Sequence, residues 1–526
     1  MKNELLKIWK DNFLKEVPIY YQKKNGKYKE YLFSDFGRLI TYYQRLLKTQ
    51  EEDRVLIFSE NSPYFIGAYF ASIFKGNIVV PVDPFLAYLE LFNILRDCQP
   101  KAIFTSKKNL NVVKDAIKNL GYTPQVIVLE NISLANEIEI ELVDRDFDKV
   151  MQILYTSGTT GNPKGVMLTF KNIFSNIYGI DETKILKSDD RVIVILPYFH
   201  AYPLMTTLLL PFTLGIKSYQ IEYLTPKDIL STLKDAKITV LVGVPKLFSL
   251  FLNGIYKKLE ENKIKKISFS LFSGLTKKLD IKLLKKLLFK KIHKEFAPYI
   301  RYFISGGAKL PKEIGETFYA LGYTILEGYG LTETSPIVSF NRPNALKIGS
   351  VGLPIKHCKV KISKDGEVLV KGLNVMKGYF NKLEETREVF TEDGYFKTGD
   401  LGKVDKDGFL YITGRKKELI VLDTGKKIFP EDIENRILKS PFIEECALLY
   451  LDGKLVLIVK PYEEFYDHPN LDKILKEEIH KALKTLQFWQ KPKEIRISFE
   501  SLPRTRIGKL KRFLLYELYK ELSKKI

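Results

Sequence analysis

Apolar residues recur along the chain in short, β-branched runs. Val55–Phe58, Ile78–Val82, Ala102–Ser106 and Gln125–Glu130 are the first four, and Ile153–Ser157, Val192–Pro197 and Ile238–Pro245 come after them. These runs are apolar at consecutive positions, the pattern of strands covered on both faces. Helix-length stretches such as Tyr64–Lys75 lie between several of them. Strands and helices in alternation predict an α/β fold with parallel-type sheets flanked by helices. The sequence has no fixed-period repeat, which argues against a solenoid.

The pattern changes after Gly349. Segments become short and turn-rich, and Asp365-Gly366 and Asp407-Gly408 stand between apolar alternations. Such dipeptides signal hairpins and predict a β-rich subdomain. From Arg415 a last unit begins, with a helix after Pro430, a hairpin at Asp452-Gly453 and a helix over Leu471–Leu486. A strand at Glu494–Phe499 and a C-terminal helix complete it. The expected organisation is a large domain over residues 1–414 and a small, mobile α+β domain over residues 415–526.

Charge adds a question to this picture. Among 526 residues, 84 are Lys or Arg and 63 are Asp or Glu, a net +21. That excess fits nucleic acid, an anionic membrane, anionic small molecules or lysine-rich solvation. The 45% hydrophobic content excludes disorder as the dominant state. Cys98, Cys358 and Cys446 are far apart, so neither a disulfide scaffold nor a cysteine zinc site is expected, and a reducing compartment fits. The N-terminal residues lack an apolar run of signal-peptide length. The longest apolar stretches, around Pro203–Gly215 and Ile238–Pro245, fall well short of the ~20 residues of a spanning helix. A cytoplasmic location, or a peripheral one on the inner face of a membrane, is expected.

The sharpest chemical signal runs from Tyr155 to Gly165, YTSGTTGNPKG, directly after a predicted strand. Glycines let successive N–H groups converge on an anion, hydroxyls add short donors, and Lys164 adds a mobile positive charge. This is chemistry suited to a polyphosphate. The loop is not a Walker A sequence, because Pro163 stands where the second glycine belongs and Gly165 follows the lysine.

TSGTTGNPKG resembles the phosphate-loop signature of the adenylate-forming enzymes: acyl- and aryl-CoA synthetases, adenylation domains of peptide synthetases and firefly-type luciferases. Further motifs appear in that superfamily's order, as far as residue 512. The resemblance implies that Thr156, Ser157, Gly158, Thr159, Thr160, Gly161 and Lys164 hold the ATP phosphates. Gly306, Gly307 and Ala308 would form a wall of the adenine pocket; read alone, they make a tight strand-to-helix turn. In Gly328–Thr334, the resemblance has Tyr329 stack on adenine, Thr332 contact the α-phosphate and Glu333 hold Mg²⁺. A single carboxylate sharing the ion with phosphates and waters suits that metal.

The same resemblance gives Asp400 the ribose hydroxyls and places Arg415 near ribose and phosphate. It makes Lys417 the hinge of the small domain and Gly425 part of a loop beside the CoA arm. The Val421–Gly425 stretch is one residue longer than in many relatives. Lys509 is implied to be the catalytic lysine. A positive group is needed where charge builds on the α-phosphate and the attacking carboxylate. His200 matches a position near the carboxylate site; read alone, it could also be a packing histidine.

These residues imply ATP-dependent activation of a fatty acid of medium to long chain to acyl-AMP, with pyrophosphate released, then transfer to the thiol of coenzyme A. The expected substrates and cofactors are a fatty acid, ATP, Mg²⁺ and CoA. An acyl carrier protein as acceptor and an aromatic acid are the alternatives within the class. A nucleic-acid-binding protein is the alternative outside it, and no RNP, zinc-finger, HIGH or KMSKS signature supports it. Lys257–Lys294 holds 13 lysines against three acidic residues, a local +10. Within it Ile281, Leu284, Leu288 and Ile292 lie at helical spacing among lysines. That predicts a basic amphipathic helix, either facing anionic lipid or covering the acyl pocket with solvated lysines. Elsewhere the basic charge is diffuse: only 15 of the 84 basic residues are Arg, a composition of solvation more than of recognition.

Overall fold

The computed structural model describes residues 4–134, 136–156, 163–260, 282–504 and 510–524. The chain divides into two compact units. The first comprises Met1–Val360, Leu369–Lys397 and Gly408–Leu410, and the second Lys361–Val368, Thr398–Asp407 and Tyr411–Ile526.

The first unit contains two large mixed sheets. One has seven strands, in the order Gly378–Tyr379, Lys164–Thr169, Val150–Thr156, Ile78–Val82, Arg54–Phe58, Ala102–Thr105 and Gln125–Val128. The first two pairings are antiparallel and the rest parallel. The other has nine strands, and its central strands Lys217–Gln220, Arg191–Val194, Val240–Gly243, Tyr302–Ser305 and Ile325–Tyr329 are parallel neighbours. Apart from Gln125–Val128, a partly buried edge strand, the consecutive apolar runs of the sequence are inner strands buried on both faces.

Local chemistry sets the covering helices. Ser62 Oγ accepts from the Phe65 N–H at 3.1 Å and Pro63 opens the helix Pro63–Phe74, which is buried on nearly every side. Thr169 caps Phe170–Asp181 by accepting from Asn172 N at 3.2 Å. An aromatic cluster fills the space beside the first helix, with Phe70 edge-on to Trp9 and Phe13 at 5.2 and 4.8 Å. Truncating one such ring typically costs about 3–5 kcal/mol. Asp190, fully buried, accepts from Thr239 Oγ1 at 2.6 Å and from Arg301 Nη1 at 2.5 Å, so its charge is paired where three strands begin.

A four-stranded sheet orders Cys358–Ile362, Glu367–Gly372, Phe396–Val404 and Leu410–Arg415. The second unit carries a three-stranded sheet of Ile443–Leu451, Lys454–Pro461 and Glu494–Ile497. The first pair is the hairpin expected at Asp452-Gly453, where φ values of 46° and 72° give the turn the left-handed backbone it needs. The helices Pro430–Ile437 and Leu471–Ala482 pack on this sheet through Ile433, Ile437, Leu475 and Ile479. Cys98, Cys358 and Cys446 are free and buried.

The basic helix differs from expectation. Residues 261–281, including Ile281, lie outside the described residues. Beyond them the chain forms two short helices, Lys282–Leu288 and Lys290–Glu295. Leu284 and Leu288 are 36% and 40% exposed and Leu287 is 67% exposed, whereas Ile292 of the same stripe packs against the core. The inner stripe is Lys285, Phe289 and His293. Lys285 is buried, with its ammonium 3.3 Å from the Tyr319 ring centroid. His293 Nε2 meets Leu321 O at 2.8 Å, and its ring lies 4.1 Å from that of Tyr323. Beside Lys285 lies Gly322, at φ +85°, where a Cβ would stand 3.0 Å from Lys285 Cβ and 3.3 Å from Lys286 N. Without a side chain there, the helix backbone can lie close against the turn. No helix among the described residues is long and apolar enough to cross a membrane.

Candidate active site

The first unit gathers several motif residues at strand ends. Thr156 ends the strand Val150–Thr156, and Lys164 opens the antiparallel strand Lys164–Thr169 directly opposite it. Ser157, Gly158, Thr159, Thr160 and Gly161 lie outside the described residues. The preceding residue is anchored: Tyr155 Oη donates to Asp97 Oδ2 at the end of the helix Tyr88–Cys98. Gly165 leaves room for neighbours, since a Cβ there would meet Ile153 Cγ2 at 2.8 Å and Tyr155 Cζ at 3.2 Å.

Tyr329 ends the strand Ile325–Tyr329, and Thr332 and Glu333 lie in the turn Thr332–Thr334. A Cβ at Gly330 would sit 1.8 Å from Pro336 O, so only glycine lets the chain double back there. Thr334 clasps the turn, accepting from Leu331 N at 2.9 Å and donating to carbonyls of Leu331 and Pro336 at 3.0 Å. Asn176, on the helix Phe170–Asp181, donates to Thr334 O at 3.3 Å and accepts from Ile337 N at 2.8 Å. The motif's Gly330 and Thr334 therefore build the turn that presents Thr332 and Glu333.

The Glu333 and Lys164 motifs meet through Tyr379, a residue that no sequence motif singles out. Tyr379 Oη donates to Glu333 Oε1 at 2.9 Å, and Lys164 Nζ lies 5.0 Å from the Tyr379 ring centroid. Burial pushes the Tyr379 phenol up, and the Glu333 carboxylate adds to this, so the phenol stays a donor. The sequence signal is the aromatic pair after Gly378, which reads as an ordinary turn until the strand pairing is known.

Glu333 is a partly exposed carboxylate held at one oxygen, a hard donor with its other oxygen left for a cation. Among the described residues no group of three His, Cys, Asp or Glu could hold a metal by itself. The residues thus fit a magnesium ion shared with phosphate oxygens and water, not an all-protein cage.

His200 and the Gly306 turn sit at other strand ends. Asn61 accepts from Tyr198 N at 2.8 Å and donates to Leu196 O at 2.9 Å, fixing the turn before His200. His200 packs 4.3 Å from Phe199, ring to ring, and leads into the helical run from Ala201. The Gly306 site carries a surprise. A Cβ there would meet Tyr202 Cζ at 2.8 Å, so the close neighbour of Gly306 is a protein ring. Tyr202 Oη lies 3.3 Å from the carbonyls of both Gly243 and Ile304, bridging two strand ends. Gly307 follows at φ +81°, and Ala308 is exposed.

In the second unit, Asp400 is 3% exposed and Arg415 Nε meets its Oδ1 at 3.0 Å. Lys416 pairs with Asp365 at 2.7 Å and Glu367 at 3.0 Å, and Lys417 lies in the turn Lys416–Glu418. Gly425, at φ +76°, turns a tight hairpin between Ile420–Val421 and Lys427–Ile428, with open space where a Cβ would be. Lys509 lies outside the described residues. Its flanks are held: Arg504 and Leu510 form an antiparallel bridge, and Lys511 N donates to Pro503 O at 2.8 Å. Arg512 grips Glu434 with two bonds of 2.8 Å.

Residues 21–380 match the family described as AMP-binding enzyme. The chain is 31% identical over 443 residues to the long-chain-fatty-acid–CoA ligase FadD15 of Mycobacterium bovis, covering 77% of this chain and 72% of that one. Its fold is similar to that of ATP-bound MatB from Rhodopseudomonas palustris, with TM-score 0.80, 24% identity, and 99% and 100% of the two chains covered. It is likewise similar to that of O-succinylbenzoate coenzyme A synthetase from Bacillus subtilis in complex with AMP, with TM-score 0.78, 22% identity, and 98% of each chain covered. The chain belongs to the AMP-binding enzyme family, within the adenylate-forming superfamily. It is an AMP-forming acid–thiol ligase.

Proposed function

We propose that the protein converts a medium- to long-chain fatty acid to its acyl-CoA in two half-reactions. The observation that carries the fatty acid is the 31% identity to a long-chain-fatty-acid–CoA ligase across 77% of the chain. A carboxylate is a poor acyl donor, because its leaving group would be oxide. Its oxygen therefore attacks the α-phosphorus of ATP, and pyrophosphate leaves. Lys164 and the hydroxyls and N–H groups of residues 156–161 hold the β- and γ-phosphates. Tyr329 stacks on adenine beside Gly306, Gly307 and Ala308, Thr332 contacts the α-phosphate, and Asp400 and Arg415 hold the ribose. Glu333 would hold a magnesium ion, which supplies positive charge to the polyphosphate. Lys509 binds the reacting oxygens as negative charge builds, and His200 lies by the carboxylate. No covalent enzyme intermediate is needed, so positioning and electrostatics carry the rate.

The thiol of CoA then attacks the acyl carbon and AMP leaves. Residues 415–526 would turn about Lys417 against residues 1–414, withdrawing Lys509 and bringing the Gly425 loop to the pantetheine arm. The location that fits is cytoplasmic. Leu284, Leu287 and Leu288, exposed beside Lys290, Lys291 and Lys294, favour peripheral contact with an anionic membrane. Vesicle flotation at low salt tests that contact, and no binding to anionic vesicles contradicts it. The substrate is tested with acids of two to eighteen carbons plus benzoate, with CoA and with acyl carrier protein, read by AMP release. The expected result is highest kcat/KM for the longer aliphatic acids with CoA, and a preference for benzoate or the carrier protein overturns it.

A further inference from the structure

We propose that Tyr379 is a positioning residue that couples the phosphate-loop lysine to the metal carboxylate. The proposal rests on the roles given above to Glu333 and Lys164. Its geometry comes from two motifs that are more than 160 residues apart in sequence and meet on one buried side chain. Tyr379 is 7% exposed, so its ring has a fixed environment. Its main chain is pinned from three directions. The strand Gly378–Tyr379 pairs antiparallel with Lys164–Thr169, placing Tyr379 opposite Val166. Phe380 N donates to Gly165 O at 2.7 Å, and Tyr379 N donates to Thr386 Oγ1 at 2.9 Å. Met376 N donates to Glu333 O at 2.8 Å, so the main chain of the Glu333 turn is tied to the same segment.

Each end of this side chain then has one task. The hydroxyl, donating to Glu333 Oε1, holds the carboxylate in one orientation and leaves the second oxygen for the ion. The ring face, 5.0 Å from Lys164 Nζ, attracts the ammonium and limits where it rests before phosphate arrives. A phenylalanine would keep the second task and lose the first. A leucine would lose both.

Calorimetric binding of ATP to the full chain, with and without Mg²⁺, separates these tasks without requiring turnover. Y379F is expected to lose about tenfold of the magnesium-dependent gain in ATP affinity. Its metal-free ATP affinity and its melting temperature should match wild type. Y379L is expected to weaken metal-free ATP binding as well, by about threefold. E333Q is the control and should lose the whole magnesium-dependent gain. If E333Q loses the gain and Y379F keeps it, the role of Tyr379 is overturned while that of Glu333 stands. If Y379F weakens metal-free and magnesium-bound ATP equally, Tyr379 is only a packing residue, and the proposal also falls. If E333Q keeps the gain, the reading of Glu333 as the metal carboxylate falls, and the proposal with it.

Discussion

The two units hold their motif residues by different means. In the first, the side chains stand at strand ends, and backbone does most of the holding. Thr156 and Lys164 face each other across a ladder, Gly330 and Thr334 fold the turn that carries Glu333, and Tyr379 joins the two through one neutral donor and one ring face. In the second, ion pairs do the holding. Asp400 pairs with Arg415, Lys416 with Asp365 and Glu367, Arg504 with Glu445, and Arg512 with Glu434. Backbone ladders fix atoms whatever the pH or salt. Charge pairs hold strongly when desolvated and weakly when wet. Three of these pairs join Asp365, Glu367 and Asp400 to Arg415 and Lys416, next to the proposed hinge at Lys417.

The largest effect should come from the second unit. Lys509→Ala is expected to slow fatty-acid-dependent pyrophosphate exchange about a thousandfold, about 4 kcal/mol of barrier. Transfer from synthetic acyl-AMP to CoA should persist. Loss of both half-reactions to the same degree would contradict the assignment of Lys509 to adenylation alone.

Arg512→Ala comes next. It strands Glu434, which is 5% exposed and also accepts from Leu448 N at 2.7 Å. Breaking such a pair should destabilise the second unit by about 3–4 kcal/mol. In a melt followed by fragment-resolved hydrogen exchange, protection should fall in the second unit and hold in the first. Equal loss in both would erase the contrast between them.

The third effect tests the first unit, where a buried acid has no ion pair at hydrogen-bond distance among the described residues. Glu327 lies just before the Gly328–Thr334 motif, 6% exposed, and accepts from Gly349 N at 2.9 Å. Burial pushes its carboxyl up to about 7 from an ordinary 4.5, against the smaller pull of Gly349 N and Lys309. The fold therefore favours the protonated form. That contribution is whole below about pH 4.5 and is lost as pH rises through about 7. Denaturant melts should show wild type losing up to about 3 kcal/mol across this window relative to Glu327→Gln. Parallel pH profiles for the two proteins would show that Glu327 is solvated and ordinary.

Much of this is legible in the sequence. The strands at Val55–Phe58 and Ile78–Val82 and the hairpin at Asp452-Gly453 follow from apolar runs and turn chemistry. The nucleotide motifs stand out because glycine, hydroxyl and charge rarely coincide after a strand. Other features depend on residues distant in sequence. Tyr379 acquires meaning only once its strand pairs with Lys164–Thr169, and Gly306 is glycine for the sake of Tyr202. The basic segment, whose spacing reads as one helix, forms two short ones among the described residues. Helical spacing identifies an apolar stripe but not the turn that will meet it: Lys285 is buried beside Gly322 while Leu284 and Leu288 are partly exposed. The ion pairs of the second unit are likewise hidden among 84 basic residues.

The most direct test of the central claim follows the oxygen atoms. Palmitate labelled with ¹⁸O at both carboxyl oxygens is incubated with ATP, Mg²⁺, CoA and the full chain, and the products are read by mass spectrometry. Attack of the carboxylate on the α-phosphorus, then loss of AMP to the thiol, predicts one labelled oxygen in AMP and none in pyrophosphate. Label in inorganic phosphate or pyrophosphate, or no labelled AMP while ATP is consumed, would contradict the account.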